Sequence, residues 1–235
     1  MREYPFLFSN EMVRAILEGR KSQTRGVITS YNSVVGEDIP KSFWVHFSWK
    51  GENGAPLPWV DGDPKRGGQY LHVPWKWAEN ETIFRIYPRY KPGDRLWVKE
   101  TWWLLHHSWG LKDPKYIRYK AAVESIQGKE ETLSRIWLSP ILMPKWAARI
   151  WLEITAIRAQ RVQEISEEDI KAEGCPAIQC AVGLRLQWFR ILWDSLNHKR
   201  GYGWDFNPWD WVYEFNQMKG APSSLVRLPR AEGVV

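Results

Sequence analysis

Residues 91–102 read Lys-Pro-Gly-Asp-Arg-Leu-Trp-Val-Lys-Glu-Thr-Trp. The first four have the composition of a tight turn. Arg95–Thr101 then alternates as a strand, which puts Leu96, Val98 and Glu100 on one face. Two readings of Glu100 stand side by side. Either it is held in the interior beside two core-facing side chains, because glutamate is seldom buried without a reason, or it ends the strand and faces water.

Working outward, Ile83–Tyr87 is the strand on the other side of that turn, and Tyr116–Ala121 is a further short one. Tyr4–Phe8 reads as a strand, with Ser9 as the N-cap of a helix carrying Met12, Val13, Ile16 and Leu17, and with Gly19 at its C-terminal end. A polar, basic turn at 20–25 leads to a strand through Val27 and Ile28. Residues 30–80 are rich in Gly, Pro, Asn and Asp and read as a long insertion with one or two hairpins. Pro140 and Pro144 bracket a linker, after which Arg149–Val162 is a long strand with Ile150, Leu152, Ile154 and Ala156 facing inward. Ser166-Glu167-Glu168-Asp169 opens a helix that ends near Gly174. A second helix, Leu184–Leu196, carries the stripe Trp188, Phe189, Leu192, Trp193 and Leu196. Trp209–Phe215 closes as a strand. These elements predict an α+β fold: a small mixed β-barrel decorated with helices, with a sandwich as the competing architecture. The expected organisation is one domain over 1–218, with the insertion at about 30–80, helical additions at about 164–200 and a loose tail at 219–235.

The chain has 235 residues, 17 of them tryptophan, a usage that argues against global disorder. No run of 18 apolar residues and no signal-peptide pattern is present, and Cys175 and Cys180 are too few for a disulfide scaffold, so a cytoplasmic location is expected. Net charge is +6. Residues 1–120 hold 19 basic and 13 acidic side chains, whereas residues 121–235 hold 14 of each. The excess positive charge thus belongs wholly to the first half, which favours a polyanionic partner there or, more simply, a solvated basic face.

Several large enzyme classes are disfavoured. Cys175 and Cys180 have no neighbouring Cys or His to complete a four-ligand zinc site, and the adjacent His106 and His107 would point to opposite faces of a strand. Phosphate-binding and dinucleotide loops, the nucleophile elbow and the zinc-protease helix are missing from the sequence. Neither a metal nor another cofactor is expected. Lys21, Thr24 and Glu100 remain. A lysine serves as base or nucleophile when burial or a neighbouring cation lowers its pKa, and Arg20 and Arg25 flank this one. Residues three apart share a face in a helical turn and oppose each other in a strand. Lys21 and Thr24 can therefore cooperate only if 21–24 forms a turn.

The segment Gly19-Arg20-Lys21-Ser22-Gln23-Thr24-Arg25 after a strand and helix, with the 91–102 stretch later, resembles the ASCH domain, a PUA-like β-barrel family. The order of Met143–Ile150, Ile165–Asp169 and Asn207–Val212 resembles the longer ASCH-related proteins of phages and prophages. The resemblance covers both ends and most of the chain outside 30–80. It implies binding of RNA or modified nucleosides. In one branch, a small single-domain enzyme, a lysine, a threonine and a glutamate hydrolyse N(4)-acetylcytidine. Lys21, Thr24 and Glu100 match those three positions. The resemblance then implies an amidohydrolase in which Lys21 activates Thr24 or a water, while Glu100 holds Lys21 and passes a proton to the leaving amine.

Three functions follow as expectations. The first is that amidohydrolase. The second is a nucleic-acid-binding module or ribonuclease, in which Arg20, Arg25, Lys99 and Arg149 meet phosphates while Trp75, Trp77, Trp97 and Trp102 flank the cleft and meet bases. The third is a phage protein that binds another protein through a tryptophan-rich surface. Trp188, Trp193 and Trp211 are expected in the core. Nucleoside or RNA is the expected partner, and no membrane is.

Overall fold

The computed structural model describes residues 1–29, 33–35, 59–63, 68–77, 80–104, 113–123, 137–176 and 183–219. Among the described residues the strands are, in chain order, β1 Glu3–Leu7, β2 Gln23–Val27, β3 Ser33–Val35, β4 Trp59–Asp63, β5 Gly68–Trp77, β6 Asn80–Pro88, β7 Arg95–Lys99, β8 Trp102–Leu104, β9 Ile117–Tyr119, β10 Trp151–Arg161 and β11 Trp209–Gln217. The α-helices among them are α1 Asn10–Leu17, α2 Lys120–Val123, α3 Glu167–Ala172 and α4 Arg185–Asn197. No helix among the described residues is long and apolar enough to cross a membrane.

The chain divides into two compact units. The first comprises Met1–Glu18, Arg95–Glu153 and Asn216–Val235. Here β1 runs parallel to β7, from Glu3 opposite Arg95 to Leu7 opposite Lys99. On its other side β7 pairs antiparallel with the start of β10, Trp97 opposite Trp151 and Leu96 opposite Leu152. Strand β7 is therefore flanked on both edges, and Leu96, Trp97 and Val98 are all buried. Trp97, Trp102, Leu104, Ile117, Met143, Ala147, Ala148 and Trp151 form one apolar cluster, with Tyr119 and Trp146 packed against it. Ser9 caps α1 as expected, its Oγ accepting from Met12 N at 3.3 Å. Val13 and Ile16 are buried, whereas Leu17 is exposed.

The second unit comprises Gly19–Asp94 and Ile154–Phe215. Strand β2 pairs antiparallel with β11, Thr24 opposite Tyr213 and Arg25 opposite Val212. A separate sheet of order β3-β6-β5-β4 contains two antiparallel hairpins: β4–β5 lies within the stretch 30–80, and β5–β6 joins that stretch to the strand expected at Ile83–Tyr87. Ser166 caps α3 by accepting from Asp169 N at 3.1 Å. In α4 the buried side chains are Phe189, Trp193 and Asn197, so the apolar stripe is narrower than the periodicity predicts, and Leu196 is 49% exposed.

The turn at 91–94 follows the residue chemistry closely. Asp94 N donates to Lys91 O at 3.0 Å, and Gly93 has a φ of +83°. Proline at the second position and glycine at the third are what a type II turn requires. Gly93 N also donates to Ile154 O at 2.8 Å, tying the turn to β10. Gly93→Ala has room for its Cβ but must hold an L-residue at positive φ. The expected loss is about 1–2 kcal/mol, read as a lower midpoint in urea with an unchanged slope.

Two expectations are corrected. The strand order β1-β7-β10-β11-β2 is linear, and β1 and β2 stand at its outer positions, so this mixed α+β sheet is not closed into a barrel. Along β10 the buried positions Ile150, Leu152 and Ile154 continue at Ile157 and Ala159 rather than at Ala156. The change of phase falls between Ile154 and Ile157, where Thr155 is exposed.

Candidate functional site

Glu100 follows β7 in the first unit and is completely buried. The water-facing reading is thereby excluded. Its carboxylate accepts from Arg149 Nε and Arg149 Nη2, both at 2.8 Å, a two-bond fork that matches guanidinium to carboxylate. Its backbone N–H donates to Met143 Sδ at 3.3 Å. The Arg149 side chain is 27% exposed, and its guanidinium carbon lies 4.1 Å from the centroid of the Tyr119 ring. Antiparallel pairing of β8 with β9, with Trp102 opposite Tyr119, places that ring. Tyr119 Oη donates to Ala147 O at 2.7 Å. Burial, reinforced by the Glu100 charge, pushes the Tyr119 phenol up to about 12, so it stays a neutral donor. A hidden anion, a half-exposed cation and an aromatic platform are thus stacked in order. Arg149 Nε and Nη2 are committed to Glu100, and the side chain as a whole stays partly exposed.

Lys21 lies in the second unit. Its side chain is fully buried, and Nζ donates to Glu173 Oε2 at 2.7 Å and to Glu173 O at 3.0 Å. The turn expected at 21–24 is not formed. Lys21 makes an isolated bridge to Glu173, and β2 begins at Gln23. In this extended backbone Lys21, Gln23 and Arg25 all reach toward Glu173: Gln23 Nε2 is 3.4 Å and Arg25 Nε 3.6 Å from Oε1. Thr24, also buried, belongs by alternation to the opposite face, where Tyr213 is its cross-strand neighbour. Lys21 and Thr24 therefore do not share a face. Among the described residues the ion-pair partner of Lys21 is Glu173, and that of Glu100 is Arg149.

The remaining expected contacts are distributed as follows. Arg20 Nη1 donates to Gly174 O at 2.5 Å, beside the C-terminal end of α3. Arg25 is buried and occupied, donating to Asp169 Oδ2 at 2.8 Å, Gln160 Oε1 at 3.0 Å and Asp210 Oδ2 at 3.2 Å. Its guanidinium is thus engaged by three side chains of the same unit. Trp97 and Trp102 belong to the buried apolar cluster. Lys99 Nζ donates to Ile141 O at 2.5 Å and lies 5.4 Å from the Trp97 centroid. Trp75 and Trp77 lie on β5, opposite Thr82 and Asn80, and their side chains fall outside the described residues. So do His46, His106, His107 and Cys180. Trp193 and Trp211 are buried as expected, and Trp188 is only half-buried.

Glu173, Tyr119, Asp210 and Arg158 escaped the sequence reading. Glu173 stands 152 residues from Lys21, and no local pattern joins them. Asp210 was within reach of a local rule. Asp210, Val212 and Glu214 alternate with the apolar Trp211, Tyr213 and Phe215, so one face of β11 carries two acids. The reasoning that singled out Glu100 applies equally there.

No family model matches the chain, and no curated protein matches it. Among solved structures, the chain is similar to the ASCH domain from Lactobacillus crispatus JV V101, at 10% identity over 92% of this chain and 79% of that one, with a TM-score of 0.37.

Proposed function

We propose that this protein binds RNA or a nucleoside, and that the Arg149–Tyr119 face is where the ligand is met. The observation that carries the reading is the fork between the half-exposed Arg149 and the wholly buried Glu100. A carboxylate held out of water orients the guanidinium plane and fixes it over Tyr119, and the exposed part of the side chain would meet a phosphate or a base edge. A flat cation of this kind stacks on bases and pairs with phosphate. Lys115, Arg118 and Lys120 lie on the same short segment as Tyr119, and the excess positive charge of residues 1–120 supports a polyanion there.

The ASCH-like, PUA-like and phage-type reading rests on the motifs at 19–25 and 91–102 and on their order with the later ones. Cleavage of an N(4)-acetylcytidine-type amide is the finer form of the same proposal. It requires Lys21 and Thr24 to act together, and the extended backbone at 21–25 sets them on opposite faces. The proposal for this chain therefore stops at binding.

Fluorescence anisotropy with a short labelled single-stranded RNA tests it. If three phosphates are neutralised, affinity falls about 20-fold between 50 and 200 mM salt. Arg149→Lys keeps the charge but loses the stacked plane, and is expected to weaken binding about 5- to 10-fold at constant salt. Binding with no salt slope, or unchanged binding by Arg149→Lys, would rule the reading out.

A further inference from the structure

We propose that the charged layer among β2, β10, β11 and α3 is a proton-operated latch: it holds α3 against the segment 20–25 while one of its carboxylates is protonated, and loosens when that proton leaves. This inference goes beyond ligand binding and does not depend on it.

The layer is built from every element that borders it. The chain at β2 contributes Lys21, Gln23 and Arg25, and β10 contributes Arg158 and Gln160. Asp169 comes from α3 and Glu173 from its C-terminal cap, while β11 contributes Asp210 and Glu214. Three cations, Lys21, Arg25 and Arg158, thus face four carboxylates, Asp169, Glu173, Asp210 and Glu214. With every group ionised the layer is one negative charge in excess, and much of it is shielded from water, where such an imbalance is costly.

The donors decide which acid keeps the proton. Glu173 has Lys21 Nζ at 2.7 Å and Gln23 Nε2 at 3.4 Å. Asp169 has Arg25 Nη2 at 2.8 Å and Arg158 Nη2 at 2.6 Å. Glu214 is paired with Arg158 and has access to water. Asp210 is wholly buried and shares one nitrogen, Arg25 Nη1, at 3.2 and 3.4 Å from its two oxygens. It is the least supported of the four. Burial pushes its carboxyl up to about 7 against the pull of Arg25, and the Glu173 charge adds to the rise.

The link to α3 is direct. Asp169 and Glu173, near the two ends of that helix, compete with Asp210 for the single Arg25 guanidinium. While Asp210 is neutral, Arg25 serves the two acids from the helix side. When Asp210 ionises, it draws Arg25 toward β11 and repels Glu173. The contacts that weaken are those pinning the helix end: Ser22 N to Ala172 O at 2.9 Å, Lys21 Nζ to Glu173 O at 3.0 Å and Arg20 Nη1 to Gly174 O at 2.5 Å. The sign follows from the direction of the shift. A carboxyl held above its unfolded value of 3.8 binds its proton more tightly in the folded chain. The folded state therefore loses stability as pH rises between about 4 and 7, and the loss is complete above 7.

Two measurements on the full chain test the latch. Carbon-13 carboxyl shifts of Asp210 are followed from pH 4.5 to 9, and amide hydrogen exchange of Ile170 and Glu173 is corrected for intrinsic rates over the same range. The expected titration midpoint is near 7, with protection of both amides falling about 10-fold between pH 6 and 8 in wild type and remaining flat in Asp210→Asn. A midpoint below 5, or a pH profile unchanged by Asp210→Asn, overturns the proposal. Should Asp210→Asn fail to fold, the wild type decides alone. Protection that falls with rising pH up to the carboxyl midpoint and levels off above it supports the latch, and a profile that does not bend there overturns it.

Discussion

Lys21→Met is expected to lower the free energy of unfolding by about 3–5 kcal/mol, because it deprives the buried Glu173 carboxylate of its closest cation. What remains to Glu173 is Gln23 at 3.4 Å and Arg25 at 3.6 Å, both longer than the 2.7 Å bond that is lost. Glu173→Met is expected to be comparably harmful, since the buried ammonium is left with only the main-chain oxygen of residue 173. The double variant Lys21→Met, Glu173→Met removes both charges and should recover most of the loss, because an apolar pair of similar volume needs no desolvation. Urea denaturation of the four chains, analysed as a double-mutant cycle, measures the coupling. Single losses below about 1 kcal/mol would mean that water reaches the pair. The result also governs how any binding or activity test at Lys21 is read: loss of signal in Lys21→Ala reports on folding unless stability is measured beside it.

Arg149→Ala carries the second large effect, also about 3–5 kcal/mol, through the same physics in the first unit. Both oxygens of the fully buried Glu100 lose their donors at once, and Tyr119 loses the cation over its ring. Glu100→Gln is expected to cost less, about 1–2 kcal/mol. It leaves no stranded anion, and the half-exposed Arg149 can turn toward water. This ordering, with Arg149→Ala well below Glu100→Gln in stability, distinguishes a buried carboxylate from an exposed one. Equal and small effects would contradict the burial of Glu100. Because Arg149→Lys keeps a cation beside Glu100, it is the variant suited to ligand binding.

Much of the local architecture was legible. Ser9 and Ser166 cap helices because a hydroxyl before an apolar-periodic run satisfies free N–H groups whatever lies elsewhere in the chain. Pro92 and Gly93 make their turn for an equally local reason. The register of Leu96, Val98 and Glu100 was readable from alternation, which singled out Glu100 with burial as one of two readings, and the structure buries it. Where the reading failed, the competing force was tertiary. Leu196 fits the helical period of α4, yet Asn197 takes the buried position. Trp97 of β7 and Trp102 of β8, placed beside a cleft, are packed into one apolar cluster with Met143, Ala147, Ala148 and Trp151, which lie much further along the chain.

Pairing lay beyond sequence. Lys21, Glu100, Arg149 and Glu173 are each visible as charged residues, and Lys21 and Glu100 stand out by context. Nothing local says that Lys21 belongs to Glu173 and Glu100 to Arg149, since those partners are 152 and 49 residues distant. Caps, turns and strand alternation depend on neighbours within four positions, so residue order alone specifies them. Ion pairs between strands and helices depend on which segments pack together. Folding makes that choice by burying apolar surface, after which each buried charge must be matched by whatever opposite charge arrives.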